Sequence, residues 1–288
     1  VKLLVTGATG FLGSRISDLL EERGHEVVRL ARPGGRPRTG ADESRLVRLD
    51  AGDPAARALL AGCDGVLHFA GVPNPTSAAA DPARAVRENA GTTLNLLEGC
   101  LEHGAGLVYP STTRAAIEPP PDAYAISKRL GEEVCRLHGA RAAIVRLTSV
   151  FGPGQIAGEG ATGAIAVFAA RALEGAPIAI PGNPERGRDF VLVDDLAPAF
   201  ERIVADGLWG ERLTMARGET ISLRAAAELV VAAAGSDSPI ETTRGALPPG
   251  EDSTYEAGPQ PGRLRLTMRP LEEGIELYVR WLRHASRP

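Results

Sequence analysis

The segment TGATGFLG, residues 6–13, limits this chain's architecture more than any other. It follows a short β-rich run at 2–6. It precedes a stretch at 11–23 in which Leu12, Ile16, Leu19 and Leu20 recur at helical spacing. A strand that turns through spaced glycines into a helix is the context of a dinucleotide loop. Gly7 allows the tight turn, Gly10 lets backbone N–H groups approach a pyrophosphate, and Gly13 lets helix and strand pack closely. The helix N-terminus adds partial positive charge. An ordinary strand-to-helix turn is the alternative.

The rest of the first half alternates in the same way. Gly24 ends the helix, and strands are expected at 27–30, 46–49, 65–69, 106–109 and 142–147, with helices at 81–103 and 124–138. This order predicts an α/β fold of Rossmann type, a doubly wound parallel sheet of six or seven strands. From about residue 151 the pattern changes to glycine- and proline-rich loops with helical pieces at 163–174, 196–205 and 223–234. The expected division is a dinucleotide-binding domain at 1–150 and a smaller substrate-binding region at 151–288. Within the latter, 188–205 is expected to return to the main sheet through a strand at 188–196.

With 288 residues, 43% of them hydrophobic, the chain can bury a substantial core. A net charge of -4, with arginines scattered among acids, predicts no nucleic-acid partner. The longest apolar runs, such as 164–170, stop well short of the roughly 20 residues of a bilayer span, so no membrane partner is expected. The first apolar segment is one strand long and runs into glycines, unlike a secretory signal. Cys63, Cys100 and Cys135 are odd in number and lack C-x-x-C spacing, which predicts neither a disulfide frame nor a metal site. A cytoplasmic setting follows.

In NAD binders the second strand commonly ends in an acid that hydrogen-bonds the ribose hydroxyls. Here it ends Leu30, Ala31, Arg32. Without a carboxylate to repel a 2′-phosphate, and with Arg36 and Arg38 close behind Arg32, NADP(H) is the expected cofactor and NAD(H) the alternative. The same arginines also suit a solvated loop. Asp50, after the third strand, suits either the adenine amino group or a helix cap.

Tyr124 and Lys128 lie four apart on an expected helix, which places both on one face. The chain has only two lysines, so the pairing is informative. A compact ammonium beside a phenol is expected to lower its pKa and to donate to a nicotinamide ribose, leaving the tyrosine able to pass a proton at neutral pH. Ser111 and Thr112, past the strand at 106–109, offer a hydroxyl to hold a carbonyl oxygen, although strand-end hydroxyls are also ordinary turn residues. The five histidines form no metal pair, and no G-x-S-x-G elbow occurs.

These segments, together with His68-Phe69-Ala70-Gly71, Asn89 leading to Asn95-Leu96-Leu97, Phe151-Gly152-Pro153-Gly154, Arg188-Asp189-Phe190 and Val193-Asp194-Asp195, resemble the extended short-chain dehydrogenase/reductase family. That is the group of nucleotide-sugar epimerases, dehydratases and ketoreductases. The closing Leu271-Glu272-Glu273-Gly274 and Trp281 extend the likeness to nearly the whole chain. The resemblance implies a Thr112, Tyr124, Lys128 triad with Asn89 supporting the lysine. It implies cofactor contacts from Gly7, Gly10, Phe11, Leu12, Gly13, Arg32, Asp50, Ala51, Phe69, Ala70, Gly71, Tyr124 and Lys128. It also implies a homodimer through the helices at 81–103 and 124–138.

Departures from the family pattern narrow the chemistry. Sugar 4,6-dehydratases carry an Asp-Glu pair after the catalytic hydroxyl, where this chain has Thr113 and Arg114. The Val-Tyr-Gly of many epimerases is Ala115-Ala116-Ile117 here, and their Asn before the Gly-Pro loop is Ser149. The pattern looks more like the 4-ketoreductases of deoxysugar pathways. The expected substrate is therefore a nucleoside-diphosphate 4-keto-6-deoxy sugar, bound through Thr112, Thr113, Ser149 and Arg188. Arg188 is the candidate for the diphosphate, an ion pair with Asp189 or Asp194 being its alternative role; Arg263 and Arg265 are weaker candidates. Competing readings are an NAD-dependent nucleotide-sugar epimerase, a reductase of a ketone or aldehyde carrying no nucleotide, and a nucleotide-sensing protein without turnover.

Overall fold

The computed structural model describes residues 1–35, 43–158, 163–245, 247, 250–256, 264 and 266–285. Arg36, Arg38, Arg263 and Arg265 lie outside the described residues.

Six strands follow one another as β1 (Lys2–Thr6), β2 (Glu26–Ala31), β3 (Leu46–Arg48), β4 (Gly65–His68), β5 (Gly106–Thr112) and β6 (Ala142–Leu147). With Arg212–Met215 they form a seven-stranded sheet in the order Arg212–Met215, β6, β5, β4, β1, β2, β3, and every pairing is parallel. The apolar runs of these strands are what a sheet covered on both faces requires. In β1, Leu3 and Val5 face one way and Leu4 the other. Leu3 and Val5 pack with Ile16 and Leu20 of helix Phe11–Glu22 and with Phe200 and Ile203 of helix Ala197–Ala205. Leu4 packs with Leu96, Leu97 and Cys100 of helix Thr92–His103. A separate core gathers Phe151, Phe168, Val230, Ile275 and Tyr278, on and between helices Ala164–Glu174, Leu223–Ala234 and Leu271–Ala285.

Three expected elements take another form. The helix at 81–103 is divided into Pro82–Val86, a π-helical turn at Arg87–Gly91 and Thr92–His103. Single π turns often mark functional positions, and this one holds Asn89. The strand at 106–109 runs on through Pro110 to Thr112 and pairs with β6 to its end. Residues 188–205 return to the sheet as a covering layer and not as a member of it. Phe190–Leu192 pairs with Ser149–Phe151 in a separate two-stranded sheet, the helix Ala197–Ala205 lies on the main core, and Arg212–Met215 supplies the seventh strand. Gly187–Arg188 instead pairs antiparallel with Ile221–Ser222, so both pieces of this run are paired outside the main sheet.

The glycine loop is set by close backbone approach. Gly7 has φ +66°, and a Cβ there would stand 2.8 Å from the Ala70 nitrogen; a Cβ on Gly13 would stand 2.3 Å from the Gly7 oxygen. The loop therefore admits no side chain at either position. Gly13→Ala is expected to destabilise the protein by about 1–3 kcal/mol through overpacking and to weaken dinucleotide binding more than the stability loss explains. Thermal unfolding paired with quenching of reduced-nicotinamide fluorescence checks both. An unchanged affinity would mean that the loop tolerates displacement.

Candidate active site

The ends of β1, β4, β5 and β6 bring the predicted residues to one edge of the sheet, the carboxyl edge where open α/β sheets bind ligands. At β1, helix Phe11–Glu22 begins at Gly10 with no side-chain cap and no acid in its first turn. Its amide end is thus left to an external anion, which fits a pyrophosphate. Phe11 and Leu12 are half-buried against the core. At β4, Thr6 Oγ1 receives the Ala70 N–H at 3.1 Å and bonds the buried His68 Nδ1 at 2.8 Å. Burial, with the Lys128 charge adding to it, drives His68 down to about 3, so its ring is neutral. Phe69 packs edge-on against Phe200. Gly71 has φ +143°, and a Cβ there would lie 2.2 Å from Asn89 Oδ1.

At the end of β2, Arg32 is exposed. A cation that the sequence reading passed over lies beside it: Arg48 Nη1 donates to the Arg32 and Gly35 carbonyls, and its other nitrogen meets Glu43 at 3.3 Å. Gly35 borders the glycine loop, since a Cβ on it would be 3.1 Å from Thr9 Oγ1. The spot where a ribose 2′-substituent is expected therefore has two arginines near it. Asp50 takes the Gly52 N–H at 2.8 Å in a local turn, and the following 3₁₀ helix is capped by Asp53, so Asp50 is not that helix's cap. Buried Ala51 gives its carbonyl to Asn95 Nδ2 at 2.9 Å.

Thr112 ends β5 and accepts the Arg114 N–H at 3.3 Å. Its neighbour Ser111 is committed elsewhere, donating to the buried Glu132 at 2.6 Å, which also holds the Arg146 fork. Helix Ala123–Leu137 carries Tyr124 and Lys128. Two links fix it to the Thr112 strand end. Lys128 Nζ donates to the Pro110 carbonyl at 2.9 Å, and the Arg114 guanidinium pairs with Asp122, which also caps the helix at the Ala125 N–H. Thr112, Tyr124 and Lys128 are thereby gathered at one place.

The electrostatics differ from the expected ammonium–phenol coupling. Burial pushes the Tyr124 phenol up to about 12; the charge that opposes this is Arg114, while Asp122 adds to the rise. Lys128, pushed down to about 8 by burial, sits over the Tyr109 ring at 5.0 Å. Helical spacing puts both residues on one face, but Lys128 lies a turn deeper, against β5. Asn89 likewise supports the lysine at one remove. Its amide bonds the Val72 N–H and C=O and Ser127 Oγ, and its carbonyl accepts the Tyr109 hydroxyl at 3.0 Å. Tyr109 is the intermediary that sequence reasoning missed. Its signal was Gly131 within a helical pattern, where a Cβ would stand 2.2 Å from the Tyr109 hydroxyl.

On the far side, Arg188 turns neither to Asp189 nor to Asp194. Asp189 holds Thr148 Oγ1 and the N–H groups of Arg217, Gly218 and Glu219, and Asp194 takes the Arg15 fork. Arg188 instead donates to the carbonyls of Gly187, Ser253 and Glu251. Ser149 leads the strand that pairs with Phe190–Leu192. Thr113 lines a pocket of about 240 Å³ with Ile117, Pro121, Ser253, Thr254, Tyr255 and Glu256.

A model of the NAD dependent epimerase/dehydratase family matches residues 3–214. The chain belongs to that family and is an enzyme of it. It is similar to a dTDP-4-dehydro-6-deoxy-D-allose reductase from Streptomyces bikiniensis, with 28% identity over 99% of this chain and 97% of the relative. Among solved structures, the UDP-glucose 4-epimerase of Thermus thermophilus in complex with NAD aligns with a TM-score of 0.84 at 26% identity, covering 98% of this chain and 99% of that one. Pal from Bacillus thuringiensis shares the fold, with a TM-score of 0.88 at 24% identity over 99% of each chain. Among the described residues no helix is long and apolar enough to cross a membrane.

The buried ammonium yields a prediction about stability. Unfolded, Lys128 binds its proton below its ordinary 10.5; folded, only below about 8. Its charge therefore destabilises the fold fully below pH 8, and the penalty fades as pH rises towards 10.5. Lys128→Met, which forfeits the bond to Pro110, is expected to stabilise the protein by about 2 kcal/mol at neutral pH while removing activity. Denaturant unfolding across pH checks this. A gain that persists unchanged at pH 10.5 would exclude the charge as its cause.

Proposed function

We propose that this enzyme is an NADP(H)-dependent reductase of the 4-keto group of a nucleoside-diphosphate 4-keto-6-deoxy sugar. The observation that carries the reading is the placement of Thr112 beside the helix of Tyr124 and Lys128, held by the Lys128–Pro110 and Arg114–Asp122 links, with an arginine and not an acid two residues past Thr112. Burial raises the Tyr124 phenol, which therefore carries the proton that a reduction has to deliver. The Streptomyces bikiniensis relative, whose name is that of a 4-dehydro-6-deoxy sugar reductase, supports the same reading along the whole chain.

In this mechanism Thr112 orients the keto oxygen and Tyr124 gives it a proton. Lys128 fixes the phenol's helix against β5 and would hold the nicotinamide ribose, and Asn89 holds that arrangement through Ser127 and Tyr109. The bound nicotinamide supplies the hydride to the keto carbon. Gly7, Gly10, Phe11, Leu12 and Gly13 would cradle the pyrophosphate, Asp50 and Ala51 would hold the adenine side, and Phe69, Ala70 and Gly71 would line the crevice. Arg32 and the adjoining Arg48 favour a 2′-phosphate, so NADP(H) is preferred over NAD(H). Thr113, Ser149 and Arg188 belong to the substrate side, which residues 151–288 cover. The second reading, an epimerase with tightly held NAD, has support from the NAD complex of the Thermus thermophilus epimerase. Free, buried Cys63, Cys100 and Cys135 agree with a cytoplasmic setting.

Consumption of NADPH, followed by absorbance with a nucleoside-diphosphate 4-keto-6-deoxyglucose, is the decisive assay. Turnover should fall by about 10²–10⁴ in Tyr124→Phe. Interconversion of sugars without net loss of NADPH would instead identify the epimerase, and indifference to a competing free nucleoside diphosphate would point to a substrate without a nucleotide.

The dimer reading has its own support. Val86, Leu94, Leu101, Ile126, Leu130 and Leu137 are among the exposed large hydrophobic residues, and all lie on the segments 82–103 and 123–137. Leu130→Glu with Leu137→Glu is expected to give a monomer in light scattering of a protein that is otherwise a dimer. A wild-type monomer would overturn this reading.

A further inference from the structure

Arg114 stands two residues past Thr112, where dehydratases of the family carry an acid, and it does more than hold Asp122. Its Nη1 lies 2.8 Å from one oxygen of Glu251, and Arg188 Nη2 lies 3.6 Å from the other. Both guanidinium carbons are 4.6 Å from the centre of the Tyr255 ring. Both arginines are 8% exposed. Two buried cations from separate parts of the chain, one at the catalytic strand end and one on the substrate side, therefore converge on a single carboxylate.

That carboxylate differs from the others nearby. Asp122 is engaged as the cap of the catalytic helix. Asp252 accepts the Asn183 N–H at 2.7 Å, lies 3.7 Å from Arg186, and is mostly exposed. Glu251 belongs to the stretch 250–256, which contains no helix or strand. The stretch is held by the Gly187 N–H on Thr254 Oγ1, by the Tyr255 N–H on the Gly187 carbonyl, and by Arg188 on the Ser253 and Glu251 carbonyls. It forms one wall of the pocket whose other wall is Thr113, Ile117 and Pro121. Among the described residues the other hydrogen bonds of Arg188 go to neutral carbonyl oxygens; burial lowers its pKa from the ordinary arginine value while Glu251 opposes the fall.

We infer that Arg114 and Arg188 form a two-guanidinium anion site for the substrate's diphosphate, and that the Glu251 carboxylate is its internal occupant, displaced when substrate binds. Planar guanidiniums suit two oxygens of one anion, which Glu251 supplies in miniature. A diphosphate carries more charge and more acceptor oxygens, and it takes the site by releasing Glu251 to solvent, which is near because its side chain is already 28% exposed. Arg114 is thereby a specificity residue of the reaction. The inference rests on the reading that the substrate is nucleotide-linked.

The test is calorimetric titration of the NADPH-saturated enzyme with dTDP and with UDP. Glu251→Gln removes the competing charge and is expected to bind the diphosphate about fivefold more tightly; Arg114→Gln is expected to bind it at least about fivefold more weakly. Arg114→Lys, which keeps the charge, should recover part of that loss. In the double variant the gain from Glu251→Gln should shrink, because the carboxylate then competes for one guanidinium instead of two. Unaltered NADPH binding and thermal unfolding separate these effects from a misfolded Arg114 variant. Equal or weaker binding by Glu251→Gln overturns the inference and leaves the nucleotide-linked substrate standing if wild type binds. Absence of binding in wild type and Glu251→Gln alike overturns both.

Discussion

The close approach of three backbone segments at the end of the parallel sheet is the constraint on which the site depends. The glycine loop lies against residues 69–70 with no room for a Cβ on Gly7, its helix lies against the Gly7 carbonyl with none on Gly13, and Gly71 lies against the Asn89 amide. Each contact brings in the next. Once Gly71 admits Asn89, that side chain can bind Val72 and Ser127, and its carbonyl can receive Tyr109. Tyr109 in turn fills the notch at Gly131 and supports the Lys128 ammonium with its ring. A chain of contacts thus runs from the loop to the helix of Tyr124 and Lys128, and a bulky residue at any of the four glycines would interrupt it. The low exposure of Asn89, Ser127 and Lys128 makes the links costly to break, since each polar group has no water to fall back on.

What was legible in the sequence follows from that geometry. Close backbone approach demands glycine, and glycine at fixed spacing can be read, so the loop at 6–13 and the strand-helix alternation were available without coordinates. The Tyr124 and Lys128 pairing was legible because helical spacing is local. Arg114, Tyr109, Glu132 and Glu251 were not, because their roles depend on partners far along the chain: Glu251 meets Arg114 and Arg188, and Glu132 meets Ser111 and Arg146. No period or spacing encodes such pairs. The π-helical turn at Arg87–Gly91 was equally hidden, since five residues with helical propensity differ from an α-helix only in where the hydrogen bonds fall. Residues 188–205 misled for another reason. A short apolar run beside an acid reads as a strand, but propensity does not choose which sheet it joins.

Charge at the site is arranged differently from the pairing that helical spacing suggests. Lys128 directs its proton to the Pro110 carbonyl and its charge to the Tyr109 face, while Arg114 provides the cation that acts on Tyr124. A single substitution pattern connects these facts with the proposed chemistry. An acid pair after Thr112 would place negative charge beside the phenol, whereas Thr113 and Arg114 place a positive one there. In the proposed reduction, that guanidinium would favour the phenolate left after Tyr124 has given its proton.

The helix Ala123–Leu137 joins this chemistry to the proposed assembly. Tyr124, Lys128 and Glu132 recur every fourth residue and run along its inward face, with Lys128 and Glu132 buried. Ile126, Leu130 and Leu137 are exposed on it, offset from that row. The outer side of the helix therefore mixes these apolar residues with the charged Arg129, Glu133 and Arg136, while its inner row carries a buried ammonium and a buried carboxylate, each costly to desolvate. Burying Ile126, Leu130 and Leu137 against a second subunit would offset that internal cost on the same element. The catalytic geometry and the association of subunits would then depend on one helix, and the stability lost by placing charge inside the site would be recovered at its outer surface.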